Sequence, residues 1–183
     1  MTKAEVRRLI RSRLAALSVK EKARQASAVA QKVIASDAWR SAAVVMLYLH
    51  LPDELATTAL IEAARAAGKT IAMPKIIDAD HGQMIAARYD GDVKPAPWGL
   101  CEPDGEAAVE SATIDLILVP GVAFTQGGHR LGRGKGFYDR FLSRAEVRAR
   151  RVGIAFEEQL VDSLPTDEHD VMLDVVVTSS GRG

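Results

Sequence analysis

Short apolar runs alternate with helix-patterned segments along this 183-residue chain, and that order narrows the possible folds more than any other feature. Val6, Leu9, Ile10, Leu14 and Leu17 recur at helical spacing, with Lys3, Arg7 and Arg11 on another stripe. Ser18, three residues before Glu21, predicts a capping box that opens a second helix toward Ile34. Residues 43–49 read as a strand, 56–67 as a helix closed by Gly68, and 70–73 as a strand stopped by Pro74. A weaker strand covers 84–88. Prolines 95, 97 and 103 and glycines 91, 99 and 105 make 89–111 the longest irregular stretch, where Trp98 is expected as an anchor against the core. A buried strand at 114–119, a helix from about Gly136 to Arg144, and strands at 151–155 and 174–178 complete the pattern. The prediction is a single α/β domain over 1–183, with a mostly parallel, Rossmann-like sheet flanked by helices. In such sheets ligands gather at the carboxyl ends of the strands.

Charge and composition narrow the function. Formal net charge is zero, so a cationic site must be local rather than the general surface of a polyanion binder. The arginines near the N-terminus and at 144–151 lie among acids and alanines, the pattern of a solvated face, and no RNP-like aromatic strand accompanies them. No nucleic acid partner is expected. The N-terminus has no apolar signal core and no run suits a membrane span. A single cysteine, Cys101, suits a reducing compartment, so a cytoplasmic protein is expected; a monomer is expected, although nothing in the sequence itself sets the oligomeric state. The four histidines show no paired metal-ligand spacing.

The chemistry concentrates in LVPGVAFTQGGHRLGRGKGFYDRFL, residues 118–142. An apolar strand enters a loop built on Gly132-Arg133-Gly134-Lys135-Gly136, and an aromatic helix leaves it. Glycines permit unusual backbone angles and let amides converge on an anion. Arg130, Arg133 and Lys135 add charge where triphosphate oxygens would gather. A P-loop does not fit, because His129 stands where its first glycine belongs and Gly136 where its Ser or Thr belongs. A dinucleotide fingerprint does not fit either, because the loop falls late and reads GxGxG. The plain alternative is a solvated basic loop; the flanking strand, aromatics and helix favour phosphate binding.

RLGRGKGFYDR preceded by LVPGVAF resembles the signature of the 5-formyltetrahydrofolate cyclo-ligase (methenyltetrahydrofolate synthetase) family. The likeness covers the chain through further anchors: Lys3 to Arg7, Asp53 to Thr57, Trp98 to Pro103, and Leu164 to Asp170 with Asp174. Two departures are Thr125, where many members carry an acid, and Phe137, where tyrosine is common. The resemblance implies conversion of 5-formyltetrahydrofolate and MgATP to 5,10-methenyltetrahydrofolate, ADP and phosphate through an N5-iminium phosphate. Such chemistry rests on positioning and charge neutralisation rather than on an enzymic nucleophile.

The same resemblance implies the residue roles. Lys3, Arg7, Arg130, Leu131, Gly132, Arg133, Gly134, Lys135, Gly136, Phe137 and Tyr138 would bind ATP, with Arg133 and Lys135 also catalytic. Leu49, Glu54 and the run Arg133 to Phe137 would contact the folate, Glu54 taking the pterin. Asp139 and Asp174 would hold Mg2+. Each has an ordinary alternative: a solvated stripe for Lys3 and Arg7, helix-start acids for Glu54 and Asp139, a strand-edge acid for Asp174. An ATP-dependent relative acting on another formyl or amide substrate is the rival reading; retention of Glu54 and Thr57 favours folate.

Overall fold

A computed structural model describes residues 1–181; the side chain of Trp98 lies outside the described part. The chain runs α1 (Lys3–Ala15), α2 (Val19–Ala35), α3 (Asp37–Ser41), β1 (Val44–Met46), α4 (Thr58–Ala66), β2 (Thr70–Asp78), β3 (Gln83–Arg88), β4 (Val93–Pro95), β5 (Cys101–Pro103), β6 (Leu116–Val119), β7 (Ala123–Phe124), β8 (Arg130–Leu131), α5 (Phe137–Leu142), β9 (Arg150–Ile154) and β10 (Val175–Val177). Six strands form one sheet in the order β10-β9-β6-β1-β2-β3. All neighbours are parallel except β2 and β3. This is the expected α/β architecture, with an antiparallel edge.

Alternation along the strands divides the core between two faces. Val45, Leu47, Ile71, Met73, Leu116, Leu118 and Val152 pack against the helical stripes of α1, α2 and α4, with Trp39 of α3. Met46, Ala72, Ile117, Val119, Met84 and Ala86 face Phe141 and Leu142 of α5. The N-terminal stripe buries Val6, Ile10 and Leu14. Its helix begins with a complete capping box between Thr2 and Glu5, which the sequence reading passed over. At α2 only half of the expected box forms. Ser18 accepts from the Glu21 N–H at 3.1 Å, while the Glu21 carboxylate turns to Arg24 and Gln25.

Three expectations needed correction. Pro74 does not stop a strand at residue 73; β2 continues to Asp78. Tyr89 N–H donates to Ile71 O, so hydrogen-bonded pairs alternate from Ile71↔Tyr89 and Pro74↔Ala86 is a non-bonded pair. The missing proline N–H therefore points away from β3, toward the side where β1 has already ended. The 89–111 stretch is not wholly irregular: β4 and β5 pair as a hairpin. The strand expected at 43–49 is regular only over β1, because the chain beyond Leu47 leaves the sheet for the turn described below. Helix α3 and the β7–β8 ribbon carried too few residues to register as periodic patterns.

Candidate active site

The segments that follow β1 and β6 leave the sheet at its carboxyl end and open into a cavity of about 870 Å3. Tyr48, Leu49, Leu51 and Glu54 line it after β1, and Pro120 and Gly121 after β6. The glycine loop, the start of α5, the 167–171 loop and the β5 hairpin supply the other walls.

The turn after β1 is built to present Glu54. Thr57 is fully buried and its hydroxyl donates to Tyr48 O at 2.6 Å, tying the strand end to the start of α4. Glu54 N–H donates to Leu51 O, and Leu51 N–H returns to Glu54 Oε2, each at 2.9 Å. The carboxylate is thus fixed by its own turn before it meets anything else.

The glycine loop continues the β7–β8 ribbon. Thr125 Oγ accepts from the His129 N–H at 3.1 Å, so its hydroxyl closes the ribbon turn. Gly134 and Gly136 adopt φ of +113° and +70°, angles that side chains seldom allow. A Cβ on Gly136 would also stand 2.8 Å from Arg140 Nη1, whose guanidinium donates to Lys135 O. Helix α1 braces this loop: Arg7 Nε donates to Gly132 O at 3.0 Å. One turn earlier, Lys3 pairs with Asp167 at 2.7 Å and Asp170 at 2.8 Å. Burial pulls the Lys3 ammonium down, but these two carboxylates more than offset it and hold its pKa above the ordinary value.

The predicted cations divide into three kinds. Arg130 is buried, donating to Asp139 Oδ1 at 2.7 Å and to Pro120 O at 3.3 Å, with its guanidinium 5.8 Å from the Tyr138 ring centroid. It is a brace that orients Asp139. Arg133 leans out of the loop onto Asp53 and Glu54, at 2.6 and 3.1 Å. Burial lowers its pKa, and the two acids raise it further than burial lowers it. Lys135 lines the cavity with Gly132, Gly134, Gly136 and the half-buried Phe137. Leu131 is buried beneath the loop and Leu49 lines the opposite wall.

Two phenols sit beside Glu54. Burial pushes Tyr48 and Tyr138 well above the ordinary tyrosine range, and the negative charge of Glu54 adds to it in both. Both therefore remain neutral donors. The Tyr138 hydroxyl is buried and finds no hydrogen-bond partner among the described residues.

Asp139 lines the cavity, and Val171 N–H also donates to its Oδ1 at 3.3 Å. Asp174 is not brought to it. It precedes β10 at the opposite, amino end of that strand, and its Oδ2 accepts the Arg151 N–H at 2.6 Å. Expected as a metal ligand, Asp174 stands in the structure as a strand-edge acid that satisfies a backbone donor, away from the cavity lining. Among the described residues no group of three His, Cys, Asp or Glu side chains is placed to hold a metal. Mg2+ carried on a triphosphate needs only one or two protein carboxylates, and Asp139 is a carboxylate in the cavity lining.

Sequence reasoning missed Asp53, Asp167 and Asp170 as partners of the cations, and Glu102 in the wall. Their partners lie tens of residues or more away in the chain, a separation that no local spacing rule reads. No helix among the described residues is long and apolar enough to cross a membrane.

Comparison with known proteins agrees with this geometry. The family model for the 5-formyltetrahydrofolate cyclo-ligase family matches residues 1–179. A mouse protein named 5-formyltetrahydrofolate cyclo-ligase is 33% identical, over 96% of this chain and 92% of its own. An Escherichia coli K12 protein of the same name is 31% identical, over 94% and 97%. The solved structure of Aquifex aeolicus 5,10-methenyltetrahydrofolate synthetase superposes with a TM-score of 0.86 at 31% identity, covering 99% of this chain and 91% of that one. The Mycoplasma pneumoniae 5,10-methenyltetrahydrofolate synthetase gives 0.80 at 26%, covering 98% and 100%. The glycine loop, the Glu54 turn and the sheet that joins them are the framework of a chain that belongs to the 5-formyltetrahydrofolate cyclo-ligase family.

Proposed function

We propose that this protein closes 5-formyltetrahydrofolate to 5,10-methenyltetrahydrofolate at the expense of MgATP, releasing ADP and phosphate. One observation carries the reading: a fixed carboxylate suited to a pterin edge and a glycine loop suited to phosphates open into the same cavity of about 870 Å3. Its size lies within the roughly 300–1,000 Å3 of ordinary ligand pockets. Two substrates placed on those two walls would meet with their reacting atoms between them.

Glu54 accepts the donor edge of the pterin, and Leu49 and Phe137 cover its faces. Arg7 and the run Arg130 to Tyr138 form the nucleotide wall, Arg7 and Arg130 chiefly by shaping the loop, and Lys3 acts from behind it through Asp167 and Asp170. Arg133 and Lys135 neutralise the γ-phosphoryl group as it moves to the formyl oxygen. The folate N10 then attacks the activated carbon and phosphate leaves; because this step is intramolecular, orientation provides much of its rate. Mg2+ would be held by the phosphates with Asp139 beside them, spreading the charge of the transferring group. The reaction takes place in the cytoplasm on a monomer.

Purified protein with 5-formyltetrahydrofolate, ATP and Mg2+ is expected to produce the methenyl chromophore, followed by absorbance, and to produce none when either ATP or Mg2+ is withheld. Binding of ATP without product from this folate would instead support a relative that acts on another formyl or amide substrate.

A further inference from the structure

Arg133 faces three demands at once. Its Nη2 lies 2.6 Å from Asp53 Oδ1 and 3.1 Å from Glu54 Oε1, and its Nε lies 3.2 Å from that same Glu54 oxygen. Yet Glu54 is the carboxylate suited to a pterin, and Arg133 belongs to the loop suited to phosphates. The donor edge of a 2-amino-4-oxopteridine is an N–C–N fragment bearing two N–H groups. A guanidinium presents the same fragment. Arg133 therefore occupies Glu54 Oε1, an oxygen that the pterin's donor edge would need, and a pterin reaching Glu54 must displace it.

We propose that Asp53 is a positioning residue: together with Glu54 it holds Arg133 docked, and arrival of the pterin at Glu54 releases Arg133 to the nucleotide, so that the two substrates bind with positive coupling. The inference rests on the substrate reading above. Glu54 provides the buried half of the dock, its side chain only 11% exposed against 51% for Asp53. Once the pterin holds Glu54, only the exposed Asp53 restrains Arg133, and an exposed pair is a weak restraint. A triphosphate outcompetes it. Before the pterin arrives, the nucleotide must pull Arg133 from both acids. The cost of that step is the coupling, and by linkage each ligand tightens the other by the same factor.

Titration calorimetry tests this on the full chain. The probes are 5-formyltetrahydrofolate and a non-hydrolysable ATP analogue with Mg2+, each alone and with the other saturating. In the parent each probe is expected to tighten the other about fivefold or more. In Asp53→Asn each probe alone should bind about two- to fivefold more tightly, with correspondingly smaller coupling. In Arg133→Ala the coupling should vanish. A merely structural Asp53 would give the opposite sign, with both affinities weakened. Independent binding in the parent, or an Asp53→Asn protein with unchanged or weaker affinities, overturns the proposal while leaving the substrate reading intact. A parent that binds neither probe overturns both.

Discussion

At the scale of single residues, charges of one sign in one loop do different work according to burial and partner. Arg130 is buried and donates from its two terminal nitrogens to Pro120 and Asp139. Arg133 is half exposed and paired to acids that a substrate can take from it. Lys135 reaches the cavity directly. Arg133→Ala and Lys135→Ala are each expected to slow single-turnover formation of the methenyl product by roughly 10²–10³-fold, about 2.7–4 kcal/mol, through lost charge beside the transferring phosphoryl group. Rapid-quench or stopped-flow absorbance measures it; folded variants that turn over like the parent remove the loop from the chemistry. The pairing of Arg133 with Glu54 also bears on Glu54→Gln: that substitution weakens the dock that holds Arg133, so nucleotide affinity should change along with folate affinity.

At the scale of elements, the β4–β5 hairpin is fastened to the sheet by one buried acid. β2 outruns β1, so beyond Ala72 its N–H groups on that side need acceptors from elsewhere. Proline at 74 has no N–H to satisfy. Ile76 does, and Glu102 Oε1 accepts it at 2.8 Å from a side chain that is itself buried. Leu100 and Cys101, beside Glu102, line the cavity, so this bond also places one of its walls. Glu102→Ala leaves a backbone donor unpaired and is expected to cost about 1–3 kcal/mol. Glu102→Gln keeps an acceptor oxygen and should cost distinctly less. Urea unfolding of the two variants separates them, and equal stability of both with the parent would show that the bond contributes nothing.

At the scale of the whole molecule, distant segments are held by carboxylates that must stay charged. Burial raises the Asp170 pKa, but the Lys3 ammonium and the Asp167 N–H outweigh it and hold it below its ordinary 3.8. Burial likewise raises Glu157, and the Ser180 N–H and Ser179 hydroxyl bring it below 4.5. A group with a depressed folded pKa contributes stability that is present above its unfolded value and lost as pH falls through the folded one. The melting temperature should therefore fall as pH drops below about 4.5. Asp170→Asn should melt lower than the parent near neutrality and show a shallower acid decline. Thermal melts between about pH 6 and about pH 3 measure this, and parallel curves for parent and variant would contradict the assignment.

Periodicity and turn chemistry are local properties, and what they control was legible in the chain. The stripe of Val6, Ile10 and Leu14, the Ser18 cap, the Gly68 turn and the apolar strands at 116–119 and 150–154 all follow from neighbours within a few residues. So does the glycine loop, because its backbone angles exclude most other residues. What only the tertiary structure decided is which charge meets which. Arg133 finds Asp53 and Glu54 some 80 residues away, Lys3 finds Asp170 across 167, and Glu102 finds the N–H that Pro74 helps to isolate. Asp139 and Asp174 read alike as acids beside apolar segments, yet one enters the cavity and the other caps a strand at the far end of the sheet. The physical reason is that ion pairing depends on distance through space, and the sheet order that sets those distances is a property of the folded core rather than of any stretch of sequence.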